Sequence, residues 1–146
     1  MKTRTCITAA AGASILLILL AAYALTEPYL IEIKEIKVKS KDIPQSFNGK
    51  TIVFVSDIHY GPFFSKERVR DIVSRINALE PDIVLLGGDD VDHIETDAAP
   101  CYEELANLKA PLGKYGVLGN HEWKRERAVQ QKMMQAGIMP LRNAAL

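Results

Sequence analysis

Two short apolar runs, Thr51-Ile52-Val53-Phe54-Val55 and Ile83-Val84-Leu85-Leu86, with a helical period between them, restrict the fold of this chain most. Runs of β-branched and aliphatic residues of this length read as buried strands. Between them Val69, Ile72, Val73, Ile76 and Leu79 recur at helical spacing and form one apolar stripe. Ser65 is placed to cap that helix and Pro81 to stop it. Strand, helix and strand are complete within about 35 residues, which predicts a βαβ unit with a parallel pair. The alternation continues with a short helix over residues 100–108 and a third apolar run, Gly116-Val117-Leu118. A helix over residues 124–136 then ends at Gly137, and a strand opens at Ile138-Met139-Pro140-Leu141. Strands alternating with helices predict an α/β layered fold.

Residues 1–27 have a different character. No charged residue lies between Cys6 and Thr26, and Ile15-Leu16-Leu17-Ile18-Leu19-Leu20 is the most apolar part. A helix of about 20 such residues can cross a bilayer. The uncharged length favours an uncleaved transmembrane anchor, and Ala22-Tyr23-Ala24 keeps a cleaved signal peptide as the alternative. Either reading places the rest of the chain at or across an inner or plasma membrane, with the soluble part on the outer face. Lysines flank both ends, so charge leaves the orientation open. Residues 28–50 follow as a lead segment. From Ile31 to Val38 apolar residues mostly alternate with Glu and Lys, which predicts an outer strand with one wet face. Residues 51–146 then form the main domain. The formal net charge is zero and no basic run with interleaved aromatics occurs, so nucleic acid is not indicated as a partner. Cys6 and Cys101 read as unpaired thiols.

Each of the three main-domain apolar runs ends in a polar cluster: Asp57-Ile58-His59, Gly88-Asp89-Asp90-Val91-Asp92 and Gly119-Asn120-His121-Glu122. Open α/β sheets place ligands at the carboxyl ends of their strands, so the clusters predict a metal site assembled from separate strands. On a regular strand Asp57 and His59 would share a face. Asp89 follows two glycines that permit close backbone approach, and its two oxygens suit it to bridge two ions. Asn120 offers a neutral carbonyl oxygen. A mixed nitrogen and oxygen donor set suits Mn, Fe, Zn or similar divalent ions.

The pattern D-x-H, G-D-x-x-D, G-N-H-E resembles the calcineurin-like metallophosphoesterase superfamily, and with the apolar N-terminus its small membrane-associated bacterial branch. The likeness covers about residues 50–143, with 32 residues from Asp57 to Asp89 and 31 from Asp89 to Asn120. It implies a layered sandwich and hydrolysis of a phosphomonoester or phosphodiester, with lipid and nucleotide esters as candidate substrates. It also implies two divalent metal ions, Asp57 and His59 holding one, Asn120 the other, and Asp89 bridging both. Such a pair, about 3.5–4 Å apart, activates water and clamps an in-line displacement at phosphorus. The resemblance gives His121 the role of a catalytic imidazole that stabilises phosphoryl charge and protonates the leaving oxygen, with Asp92 matching a position that orients it.

The family completes its site with a further histidine and a G-H-x-H cluster downstream. The histidines here are His59, His93 and His121. The expectation is therefore an N-terminal half of a phosphoesterase, with a non-catalytic, weakly metal-binding, membrane-tethered fragment as the competing reading. Asp90 reads as a solvated extra carboxylate, His93 as a loop histidine, Trp123 as a packing residue rather than a pocket wall, and Met133 and Met134 as core.

Overall fold

A computed structural model describes the backbone over residues 2–93 and 97–143, and side chains from residue 12 onward within these, residue 28 aside. The chain divides into two compact units, residues 1–42 and 43–146.

In the first unit, helix α1 spans Lys2–Thr26 and a single 3-10 turn covers Glu27–Tyr29. Thr26 turns its hydroxyl back onto the carbonyls of Ala22 and Tyr23, at 3.0 Å each, a back-bond that suits a helix end. Side chains of α1 are described over residues 12–26, a stretch shorter than the about 20 residues a bilayer needs. Among the described residues no helix is long and apolar enough to cross a membrane. The outer strand expected over residues 31–38 is corrected: no ladder includes these residues, and Ile33, Ile36 and Val38 are exposed. Alternation encodes a strand only where a neighbouring strand supplies hydrogen bonds, and a lone extended segment has none.

The second unit is built on β1 (Ile52–Val55), α2 (Lys66–Ala78), β2 (Ile83–Leu86), α3 (Ala99–Leu105), β3 (Lys114–Gly116), α4 (Glu126–Gln135) and β4 (Ile138–Pro140). The four strands form one parallel sheet in the order β1-β2-β3-β4, with Ile52 opposite Ile83, Val84 opposite Lys114 and Lys114 opposite Ile138. The expected βαβ unit and the fourth strand are both present. Every crossover moves one place in the same direction, so right-handed connections put α2, α3 and α4 on one face. Accordingly α2 packs on α3 and α3 on α4.

The core lies under that helical layer. Val84, Leu86 and Ile138 point into it, where they meet Val69, Val73 and Ile76 of α2, Cys101, Tyr102 and Leu105 of α3, and Val129 and Met133 of α4. Fully burying a side chain of this size contributes about 1.5–3 kcal/mol. On the opposite face Ile52, Phe54 and Met139 are exposed. On α2 the stripe buries Val69, Val73 and Ile76 as its spacing predicts, while Ile72 is partly buried and Leu79, past the helix, is 38% exposed. Ser65 stands at the N-cap with an extended backbone, although its hydroxyl takes no helix N–H. Met133 is core, whereas Met134, one helical step of about 100° away, is exposed.

The third strand lies ahead of its expected run: it spans Lys114–Gly116, so Val117 and Leu118 fall beyond its end. It opens on Lys114, whose Nζ donates to the carbonyl of Ala106 at 2.9 Å and of Ala136 at 2.7 Å. One ammonium thus satisfies the terminal carbonyls of α3 and α4 together, a favourable use of a cation at helix carboxyl ends. Burial lowers the Lys114 pKa from its ordinary value.

Candidate functional site

Beyond Val55 and Leu86 the strands end, yet their loops keep pairing. The N–H of Asp57 donates to Gly88 at 3.0 Å, that of His59 to Asp89 at 3.0 Å, and that of Tyr60 to Asp90 at 2.9 Å. Asp57, His59 and Asp89 all sit in the left-handed region, with φ of 58°, 51° and 54°. Side-chain-bearing residues enter that region sparingly, at on the order of 1–3 kcal/mol each, and remain there only where surroundings impose it. The expectation that regular strand geometry aligns Asp57 with His59 is therefore corrected. The left-handed turns bring them together, with Asp57 Oδ1 3.7 Å from His59 Nε2.

The second and third clusters meet at their glycines. A Cβ on Gly88, where φ is +91°, would lie 2.4 Å from the Gly119 nitrogen. A Cβ on Gly119 would lie 2.0 Å from Asp89 Oδ1 and 2.4 Å from its nitrogen. This close approach lets Asp89 Oδ1 accept the His121 N–H at 3.0 Å, binding the bridging candidate to the third loop.

Sequence reasoning missed the residue that fastens this crossing, Glu122. It is 1% exposed. Its Oε2 accepts the N–H of Asp89 at 3.0 Å and of Gly119 at 2.8 Å, and Oε1 accepts that of Val91 at 3.0 Å. A carboxylate accepting three backbone N–H groups offsets its desolvation with charge-assisted bonds. Its place in the Gly119-Asn120-His121-Glu122 run singled it out, but nothing local says that this acid is buried.

His59, Asp89 and His121 converge, with one ligand atom from each within 4.8 Å of the others. The rings of His59 and His121 are 4.9 Å apart and nearly perpendicular. Asp57 reaches this group at His59 with its side chain 64% exposed, and Asn120 is exposed between Gly119 and His121. Asp92 does contact His121, but through its backbone: His121 Nδ1 is hydrogen-bonded to the Asp92 carbonyl oxygen. The Asp92 carboxylate instead lies 3.7 Å from His59 Nδ1 and 3.3 Å from His93 Nε2.

Asp90 is corrected from solvated to buried, at 1% exposure. Tyr102 donates its hydroxyl to Oδ2 at 2.9 Å, while Oδ1 has no partner. Burial pushes the Asp90 carboxyl up to about 7. The Tyr102 bond opposes that rise, and the charges of Glu122, Asp89 and Asp57 add to it. Cys101 is a free, buried thiol, as its lack of a partner suggested, and burial raises its pKa well out of the reactive range. Cys6 lies outside the described side chains. Trp123, expected to pack, is 66% exposed.

The donor set fits divalent ions. His59 Nδ1 is buried without a hydrogen-bond partner, an orphan that an ion or its bound water would satisfy. Imidazole nitrogen beside carboxylate oxygen suits borderline divalent metals.

A parallel sheet with polar loops converging at its carboxyl edge defines an α/β protein of the kind that holds its ligand at strand ends. The chain belongs to the calcineurin-like phosphoesterase family, whose sequence pattern matches residues 50–143. It is 35% identical over 114 residues to the metallophosphoesterase YkuE of Bacillus subtilis, covering 76% of this chain and 40% of that one. A metallophosphoesterase of Aquifex aeolicus is 36% identical over 107 residues, covering 73% and 40%. A "transmembrane protein with metallophosphoesterase domain" of Danio rerio is 34% identical over 92 residues, covering 63% and 21%. The chain thus spans from about a fifth to two fifths of these relatives' lengths. No solved structure matches it at a significant level.

Proposed function

We propose that the chain carries part of a metal-dependent phosphoesterase site, acting on a phosphomonoester or phosphodiester. The observation that carries this reading is the convergence of His59, Asp89 and His121 at the sheet's carboxyl edge, with Asp57 Oδ1 3.7 Å from His59 Nε2. In this reading Asp57 and His59 hold one divalent ion, Asn120 contributes to a second, and Asp89 bridges. When bound, such ions promote water attack at phosphorus and neutralise its oxygens. Asp89 is suited to bridging because its Oδ1 is already oriented by the His121 N–H. His121 would protonate the leaving oxygen, a step worth about 10²–10⁴-fold when the acid is well placed. Asp92 would orient that ring through its carbonyl.

The test is hydrolysis of a chromogenic phosphodiester with Mn²⁺ by this chain and by Asp89→Ala. Metal-dependent turnover abolished in the variant supports the reading, and absence of turnover in the parent refutes it for this chain. A second reading, a metal-binding fragment without turnover, is favoured by the 64% exposure of the Asp57 side chain, which leaves a ligand of the first ion loosely held.

We further propose that α1 anchors the chain in a membrane. Supporting this are the uncharged stretch from Cys6 to Thr26, the exposure of Ile15 to Leu20 at 55–67%, and a relative named as a transmembrane protein. A Leu17→Arg, Ile18→Arg double variant should move the chain from the membrane pellet to the soluble fraction. Carbonate extraction that releases the parent chain equally well would sink the proposal.

A further inference from the structure

The three histidines of the chain lie far apart in sequence, at positions 59, 93 and 121, yet gather around one residue, Asp92. The His93 and His121 rings are 6.3 Å apart and inclined by 27°, and the His59 and His121 rings are 4.9 Å apart. One ligand atom each from Asp92, His93 and His121 lies within 4.8 Å of the others. We propose that Asp92, His93 and His121 form a separate nitrogen-rich transition-metal site, distinct from the strand-end set of Asp57, His59, Asp89 and Asn120.

Four observations carry this. First, Asp92 Oδ2 is 3.3 Å from His93 Nε2, close to the ligand-to-ligand edge of about 3.3–3.5 Å that bonds near 2.0–2.1 Å give in a tetrahedron. Second, the remaining closure falls on His93, whose side chain is 62% exposed and free to rotate. Third, the hydrogen bond of His121 Nδ1 to the Asp92 carbonyl places the proton on Nδ1 and leaves the lone pair on Nε2. That is the arrangement in which ligating histidines are fixed, one ring nitrogen on a carbonyl and the other on the ion. Fourth, the Asp92 backbone is anchored: its N–H donates to Tyr60 at 2.9 Å, and its Cβ lies against Gly61, where an added Cβ would come within 2.9 Å.

Two imidazoles and one carboxylate select Zn²⁺, Co²⁺, Ni²⁺ or Cu²⁺ over Mg²⁺ or Ca²⁺. His121 belongs to both groups of converging ligands, so an ion held at the Asp92 site through Nε2 occupies the nitrogen that would otherwise carry a proton to the leaving oxygen. On the phosphoesterase reading above, such an ion withdraws the proton donor, and Zn²⁺ inhibits what Mn²⁺ supports.

The experiment is calorimetric titration of the full chain in detergent with Zn²⁺, alongside imidazole NMR, for the parent, His93→Ala, and an Asp57→Asn, Asp89→Asn double variant with and without His93→Ala. Circular dichroism checks that each is folded, which is expected for His93 on an exposed loop. The parent and the double variant should bind Zn²⁺ with a shift of the His121 ring signals. In the Asp57→Asn, Asp89→Asn background, where the strand-end carboxylates no longer compete for zinc, adding His93→Ala should weaken binding at least 10–100-fold, since even outer partners of a ligand cost that much, and should remove the His121 shift. Zinc affinity unchanged by His93→Ala in that background, or loss of the His121 shift in the double variant, overturns the site. Absence of Mn²⁺-dependent hydrolysis refutes only the phosphoesterase reading, because zinc binding is read without turnover. Where turnover is present, His93→Ala should keep it and lose zinc inhibition.

Discussion

Removing the Glu122 carboxylate tests whether one buried acid holds the second and third site loops together. Glu122→Ala deletes the acceptor of three backbone N–H groups at 2.8–3.0 Å, on Asp89, Val91 and Gly119. Hydrogen bonds to a charged group contribute about 1.5–3 kcal/mol each, so three account for roughly 4.5–9 kcal/mol. Deleting the acid also returns its desolvation cost, several kcal/mol for a buried ion. The two terms leave a net destabilisation of about 2–5 kcal/mol. Against a total stability of about 5–15 kcal/mol that is a large fraction. For a unit of about 100 residues it corresponds to a fall in Tm of roughly 10–30 °C. Glu122→Gln separates charge from shape. Its one oxygen can still take the Asp89 and Gly119 N–H groups, but its amide NH₂ then faces the Val91 N–H, donor against donor. About half the loss should remain. Urea unfolding followed by circular dichroism in EDTA gives the free energies, and amide exchange gives the local effect, with Asp89, Val91 and Gly119 losing protection first. Stability of Glu122→Ala within about 0.5 kcal/mol of the parent, with those amides still protected, would refute the clamp.

Gly119→Ala places a methyl 2.0 Å from Asp89 Oδ1, so the carboxylate must move; a loss of about 1–3 kcal/mol and weaker Mn²⁺ binding are expected, and parent-like calorimetry would contradict the crossing. Tyr102→Phe leaves the buried Asp90 carboxyl with neither oxygen paired and should cost about 1–3 kcal/mol by urea unfolding, against no change if the bond is idle. Arg70 holds the Glu104 carboxyl below its ordinary 4.5 through bonds of 2.7 and 3.1 Å. A depressed acid stabilises the fold above its unfolded pKa and loses that contribution as pH falls through the folded one. The gap in urea midpoint between the parent and Arg70→Met should therefore be full at pH 7 and close below about pH 4.5; a gap independent of pH would exclude the pair as its source.

Much of the main domain is legible along the chain because its periods are local. The stripe from Val69 to Ile76 and the runs at Ile52 and Ile83 need no distant partner to be recognised, and Pro81 and Gly137 punctuate them directly. Where a residue's role depends on what arrives from elsewhere, local reading fails. Residues 31–38 alternate like a strand but have no ladder to join. Lys114 looks like the wrong residue to open a strand until the carbonyl ends of two helices meet at its ammonium.

The site divides along the same line. The order and spacing of Asp57, His59, Asp89, Asn120 and His121 are properties of the sequence, and they suffice to name the family and the donor chemistry. Tertiary structure alone decided that three of these residues meet, that Asp57, His59 and Asp89 take left-handed backbone to do so, and that Asp92 holds His121 by its carbonyl. It also decided the fates of two neighbouring acids. Glu122 is buried because loops 31 to 33 residues apart deliver N–H groups to it, and Asp90 is buried because Tyr102 of α3 covers it. A carboxylate's identity is written in the chain; whether it faces water or an N–H depends on backbone brought from far away.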